Sequence, residues 1–154
     1  MDERKRFRGL RIMVIIMLAF LVLQYEFGMA FTLSDPPELT PFGFSGTQFN
    51  EALNRVGPVA QTHAGFGILV GIMGIVILVA SLRSKSRGAR IVGPLAFLAV
   101  LVAGITGQLF VQSGYQNDGF SHGMATFFIV SFILYFVELY LLKPTLPTRM
   151  VERV

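Results

Sequence analysis

The two histidines of the chain are its clearest candidates for chemistry, because both fall inside long apolar runs of sequence. His63 lies near the start of a run at 59–82, and His122 lies near the start of a run at 120–142. Polar side chains are costly inside a membrane and usually have a partner or a function there. Two neutral imidazoles that face each other across a helical bundle can ligate one metal ion. We therefore consider this pair as metal ligands.

Other residues near the histidines fit the same interpretation. Gln24 and Gln108 fall in the two remaining apolar runs, where their amides can hydrogen-bond and orient the ligands. Gly67 and Gly123 follow the histidines and leave room for a flat macrocycle. Arg55 is the one basic residue expected on the outer side, where it can pair with haem propionates. These five residues are predicted to contact a cofactor.

Haem b suits this set, since it needs two axial nitrogens and an apolar pocket but no acidic ligand. Copper or zinc fits less well, because the nearest further ligands, Glu26 and Asp118, lie at the membrane interface. A structural alternative stays open. Glycines at 67, 71 and 74 are also typical of helix packing in lipid, and a single histidine can simply bond to a neighbouring helix.

Composition and hydropathy indicate the elements that must position these residues. Of 154 residues, 53% are hydrophobic and 14% are charged, too few charges for a soluble domain of this size. Four apolar runs, at about 10–31, 59–82, 91–112 and 120–142, are long enough to span a bilayer as helices. Gly93-Pro94 is expected in the first turn of the third span. The absence of cysteine excludes disulfides, thiolate ligands and a cysteine nucleophile.

Basic residues predict the orientation of these spans. All of them except Arg55 precede the first span, lie between the second and third, or follow the fourth. The positive-inside rule therefore predicts a cell-membrane protein with cytoplasmic N- and C-termini. The first run also resembles a signal peptide, with a small-residue pattern at 28–30. We expect it to be retained as a span.

The chain is thus predicted to be all-α, a single membrane domain over 1–154 that forms an up-down four-helix bundle. The outer loop, 32–58, is expected to hold a short interfacial helix at about 46–55, capped by Ser45 and Gln48. Glu138 is expected to pair with Lys143 or a nearby arginine at the inner interface. A proton relay at Glu138 is an alternative.

The motifs His63-Ala64-Gly65 and His122-Gly123, each opening a span, resemble one four-helix half of the haem A synthase fold and related small bis-histidine membrane proteins. The resemblance covers most of the chain. It implies the four-helix fold and haem ligation by the two histidines. Haem A synthases have a glutamate shortly before the first histidine and often a cysteine pair in the outer loop. This chain has neither, so the resemblance does not extend to hydroxylation.

Two function classes follow. The first is a haem-b membrane protein, cytochrome b-like, that transfers electrons near the outer face, with a quinol or another membrane redox subunit as partner. The second is a non-catalytic structural or assembly subunit of a larger membrane complex. The basic residues form no nucleic-acid-binding face, so the lipid bilayer is the expected environment and nucleic acid is not an expected partner.

Overall fold

The computed structural model describes residues 3–34, 39–43 and 45–142. All regular secondary structure in these residues is helical, which confirms the predicted all-α class. The five helices, in chain order, are α1 (Glu3–Leu33), α2 (Gly46–Val56), α3 (Pro58–Leu82), α4 (Arg87–Gln112) and α5 (Asp118–Leu141).

Four of the helices, α1, α3, α4 and α5, are long and apolar enough to cross a membrane. Within α1 the apolar stretch is Arg8–Leu33, and in the other three it is the whole helix. This agrees with the four runs read from the sequence and with a membrane environment. The short helix α2 lies in the segment that joins the first two of them.

Helix α4 begins earlier than the sequence predicted. The Ser86 side chain accepts a hydrogen bond from the Ala89 backbone N–H at 3.3 Å and so caps the helix before Arg87. Pro94 consequently lies inside α4, and its predicted position in the first turn is wrong. Ser45 caps α2 in the same way, accepting from the Gln48 backbone N–H at 3.4 Å.

The four long helices pack as a closed ring. Helix α1 packs against α3 and α5, and α4 packs against the same two helices, while α3 and α5 lie diagonally and meet through the side chains of Ser81 and Glu138. Along the α1–α3 interface, Gly28 lies beside His63 and Met17 lies beside Gly74. Earlier residues of α1 thus contact later residues of α3, so the two helices are antiparallel. Helix α2 packs on α3 and α4.

Buried side chains are concentrated in one half of the ring, here called the packed half. It consists of residues 8–21, 70–100 and 131–142 and holds most of the core, including Met17, Leu21, Ile77 and Tyr135. Small residues on α4 (Ala89, Gly93, Ala96 and Ala99) are buried at its centre. Without large side chains there, neighbouring helices approach α4 closely.

The other half contains a level without a buried residue, here called the open band. It is formed by residues 22–33 of α1, 61–69 of α3, 101–111 of α4 and 118–130 of α5, all of which are half-buried or exposed. Beyond this band a small group closes the end of the ring, comprising the buried residues Ala52, Leu53, Ala60, Gln112, Gly114 and Tyr115. The predicted site residues of the four long helices all lie within the band.

Candidate functional site

His63 lies in the open band on the side of α3 that packs against α1. Its imidazole fits against the backbone of Gly28, where a Cβ atom would come within 3.2 Å of His63 Cε1. The ring of Phe31 lies nearly parallel to the imidazole, at 17° and with 6.4 Å between centroids. Glycine at position 28 is therefore what admits the imidazole between the two helices.

Gln24 is the polar partner of His63. Its Nε2 donates a hydrogen bond to the backbone carbonyl of His63 at 3.2 Å and lies 3.5 Å from His63 Nε2. Since a carbonyl oxygen only accepts, the first bond fixes the orientation of the amide. The same amide group faces His63 Nε2 with an N–H, which assigns the acceptor role to that nitrogen. The ring proton of the neutral imidazole then lies on Nδ1.

Two atoms of this pair lack a hydrogen-bond partner. Gln24 Oε1 and His63 Nδ1 are both buried and unpaired. One is an acceptor and the other, in the assigned tautomer, is a donor. Buried polar atoms in proteins almost always have a partner. A hydroxyl group could satisfy either atom, because it can both donate and accept a hydrogen bond.

Gly67, one turn after His63, belongs to the same site. A Cβ atom at this position would lie 3.3 Å from Gln24 Nε2, so the amide packs against the glycine. Three of the residues predicted from the sequence, His63, Gln24 and Gly67, are thus brought together. The sequence placed Gln24 near the histidine level but did not reveal this contact.

His122 lies elsewhere. Its side chain is exposed, and its Nδ1 is 2.8 Å from the backbone carbonyl of Asp118, four residues earlier on α5. Ser131, Tyr135 and Glu138 mark the buried side of α5. At about 100° per residue, His122 falls roughly 170° from them. Gly123, its neighbour, packs against Thr106 of α4 at 3.3 Å from the position of a Cβ.

The remaining two predicted residues also face outward. Gln108 of α4 is exposed. Arg55 of α2 forms an ion pair with Glu51 at 2.6 Å, with both side chains 61% exposed. The helical turn between them aligns this pair on the surface of α2. Neither Gln108 nor Arg55 contacts the Gln24–His63 pair.

A haem shared by the two histidines does not fit this arrangement. His63 packs on α1, and His122 faces away from the buried side of α5. Within residues 3–34, 39–43 and 45–142, no three potential metal-ligating side chains form a group. Bis-histidine ligation therefore stays a prediction from the sequence.

Tyr115 closes the open band at the end nearest His63. Its ring contacts those of Phe31 and Phe110, with centroids 5.5 and 5.6 Å away. The hydroxyl group is buried and has no partner among the described residues. Burial raises the pKa of Tyr115 to about 12, because the phenolate is poorly solvated there. This tyrosine separates the band from the loops beyond it.

A second polar group, which the sequence interpretation misplaced, lies in the packed half. Glu138 is fully buried, and its Oε1 accepts a hydrogen bond from Ser81 Oγ at 2.5 Å. The sequence predicted an ion pair with Lys143 or a nearby arginine, but Glu138 forms no ion pair with any described residue. Lys143 lies outside the described residues. The spacing of Ser131, Tyr135 and Glu138 places them on one helical face, and this pattern could have predicted that Glu138 faces the core.

The comparisons with known proteins add no relative. No family model matches the chain, and neither a curated protein nor a solved structure is similar to it. The resemblance to the haem A synthase fold thus depends on the short histidine motifs alone.

Proposed function

We propose that the chain is a cell-membrane protein whose four long helices cross the bilayer alternately, with both termini in the cytoplasm. The reversed order of contacts between α1 and α3, and between α4 and α5, supports alternating directions. The distribution of basic residues supports the orientation. The packed half would then lie toward the cytoplasm and the open band toward the outer face.

We further propose that the open band binds a quinol or quinone, a redox-active ring with an apolar tail. The observation that carries this proposal is that two contacting residues, His63 and Gln24, each hold a buried atom without a partner, Nδ1 and Oε1. A quinol hydroxyl oxygen accepts the Nδ1–H proton in a hydrogen bond, and a quinol hydroxyl donates to Oε1. In the quinone form, the carbonyl oxygen still accepts from Nδ1–H.

The surroundings suit the apolar parts of such a ligand. Phe20, Phe27 and Phe66 form edge-to-face contacts next to the pair, with centroids 5.3 and 5.4 Å from Phe66. A groove of about 240 Å³ between α1 and α5, at the level of the band, is lined by apolar and aromatic side chains. An isoprenoid tail fits such a surface, because both are apolar and their contact buries no polar group. A bound quinol that passes its two electrons to another membrane redox subunit, and releases two protons, keeps the redox role suggested by the sequence.

A second candidate function is supported by a different observation. The side chains of His122 and Gln108 are exposed on helices that would lie in lipid. Polar groups facing lipid are unfavourable and are commonly paired with a neighbouring helix. A non-catalytic subunit of a larger membrane complex would cover them with a partner helix.

Titration with a short-tailed quinone analogue tests the first function. The purified protein in lipid nanodiscs is compared with Gln24→Leu and His63→Phe, and His122→Phe serves as the matched control. We expect binding by the wild type and the control, and at least tenfold weaker binding by the two site variants. Equal affinity in all four proteins, or no binding by the wild type, contradicts the proposal. An absorption spectrum of the same samples after haem addition tests the haem prediction separately.

A further inference from the structure

The Glu138 cluster of the packed half is unrelated to the quinol site and has unusual features for a membrane helix. Glu138 and Tyr135 are both 0% exposed, and they lie three residues apart on one face of α5. Ser81 of α3 reaches the carboxyl group from across the ring. A hydroxyl group of α3 and a carboxyl group of α5 therefore meet inside a largely apolar core.

The packing around the carboxyl group is tight because α4 presents a glycine to it. A Cβ atom at Gly93 would lie 2.5 Å from Ser81 Cβ and 3.1 Å from Glu138 Oε1. No side chain larger than hydrogen is compatible with this approach. Residues of three helices, α3, α4 and α5, therefore enclose the carboxyl group of Glu138.

One face of the carboxyl group has no partner. Glu138 Oε1 is bonded to Ser81, but Oε2 and the Tyr135 hydroxyl are buried without a hydrogen-bond partner. Among the described residues at this end of the molecule, no ion pair with Glu138 is formed by Arg8, Arg11, Arg83, Arg87 or Arg90. Tyr135 is the titratable side chain beside it on α5.

An ionised carboxylate in this position would be unfavourable. Burial of an unpaired charge costs far more than burial of the neutral acid, and such groups take up a proton instead. A metal cation would require further oxygen ligands, and no group of three or more acidic or histidine ligands exists in the described part of the chain. The donor from Ser81 fits the carbonyl oxygen of a protonated carboxyl group, whose O–H would lie at Oε2.

We propose that Glu138 is a proton-binding site inside the membrane, a carboxylic acid that holds and exchanges a proton while Ser81 fixes its carbonyl oxygen. Binding forms one O–H bond at Oε2 from a solvent proton, and release breaks it and leaves the carboxylate. Oε2 has no hydrogen-bond partner among the described residues, so the O–H of the acid lies on the unbonded side of the carboxyl group. The ligand of this site is a proton, not a metal ion.

Infrared spectroscopy of the full chain in nanodiscs tests the proposal. The wild type minus Glu138→Gln difference spectrum should contain the carbonyl band of a protonated carboxylic acid at neutral pH. The band should shift after transfer to D₂O, since the proton exchanges, and should be unaffected by added sodium chloride. In Ser81→Ala the band should move to higher frequency, because its carbonyl oxygen loses a hydrogen bond.

Three results would overturn it. Carboxylate bands alone at neutral pH would mean that the group is ionised. Loss of the acid band on addition of sodium at constant pH would assign the site to a cation. An acid band that stays unshifted after prolonged exposure to D₂O would make Glu138 a closed packing group. If Glu138→Gln does not fold, the Ser81→Ala minus wild type difference spectrum gives the same band as a shifted pair.

Discussion

The packed half and the open band both hold polar side chains with unpartnered atoms, but they surround them differently. In the packed half, Glu138 is enclosed by close helix contacts at Gly93, and its carbonyl oxygen is bonded to Ser81. In the open band, Gln24 and His63 are bonded to each other but leave one donor and one acceptor unpaired. No residue of the band is fully buried. The polar group of the packed half is thus enclosed by tightly packed helices, whereas the polar pair of the band lies among half-buried and exposed residues.

The difference follows from the residues that line each region. Alanine and glycine on α4 let the helices of the packed half approach until side chains interlock. In the band, Gly28 and Gly67 instead make room for the polar side chains of His63 and Gln24 at the interface of α1 and α3. The same helices therefore use small residues for close packing in one region and for a polar pair in the other.

The largest expected effect is on the packed half. Gly93→Ala places a Cβ atom 2.5 Å from Ser81 Cβ, which forces α3 and α4 apart. We expect a loss of about 1–3 kcal/mol in the free energy of unfolding. Gly104→Ala on the same helix is the control, because a Cβ there meets nothing within 4 Å. Reversible unfolding in mixed detergent measures both, and equal losses would contradict the difference in packing.

Removal of the Ser81 hydroxyl should have the next largest effect. Ser81→Ala leaves the buried Glu138 carboxyl without its one observed partner, at an expected cost of about 1–3 kcal/mol. In a Glu138→Leu background the same change should cost much less. A double-mutant cycle on unfolding free energies gives the coupling. A coupling near zero would mean that the hydrogen bond does not stabilise the packed half.

Substitution in the open band should separate binding from stability. Gln24→Leu removes the unpartnered Oε1 together with the bonds to His63, so the two effects on stability oppose each other. We expect less than about 1 kcal/mol change in unfolding free energy but about tenfold weaker quinone binding, equivalent to 1.4 kcal/mol. Thermal unfolding and the nanodisc titration measure these. A large loss of unfolding free energy with unchanged quinone affinity would mean that Gln24 stabilises the fold and does not bind the ligand.

Tyr115 makes the stability of the folded protein dependent on pH. Because its pKa is raised to about 12 from 10.0, the folded state keeps a proton that the unfolded state releases. The stabilisation is present below pH 10 and is lost as the pH rises from 10 to 12. Tyr115→Phe should reduce this loss of stability. The measurement is the unfolding free energy against pH, and identical slopes in the two proteins would contradict the prediction.

The smallest effect is expected at α2. Arg55→Ala removes an ion pair whose side chains are both 61% exposed, so stability should change by no more than about 0.5 kcal/mol. Quinone affinity should stay unchanged, because Arg55 does not contact the Gln24–His63 pair. A marked loss of affinity in the same titration would extend the site to α2.

The sequence predicted the four long helices well and the site only in part. Span length and hydropathy identified the helices, because a bilayer sets a minimum apolar length. Those spans are apolar on nearly every face, so hydropathy did not reveal which side of α5 is buried. His122 was therefore assigned to the core although it faces outward. The contact between Gln24 and His63 depends on the rotation of α1 against α3, which Gly28 sets.

Nitrogen NMR of the imidazoles shows whether His63 and Gln24 form the ligand site of the open band. The chain has two histidines, so selective ¹⁵N labelling gives two resolvable imidazole systems. We expect the proton of ligand-free His63 to lie on Nδ1 and a quinone analogue to shift the signal of this nitrogen. The signals of His122 should not change. A shift at His122 alone, or at neither ring under saturating analogue, would exclude His63 from the site.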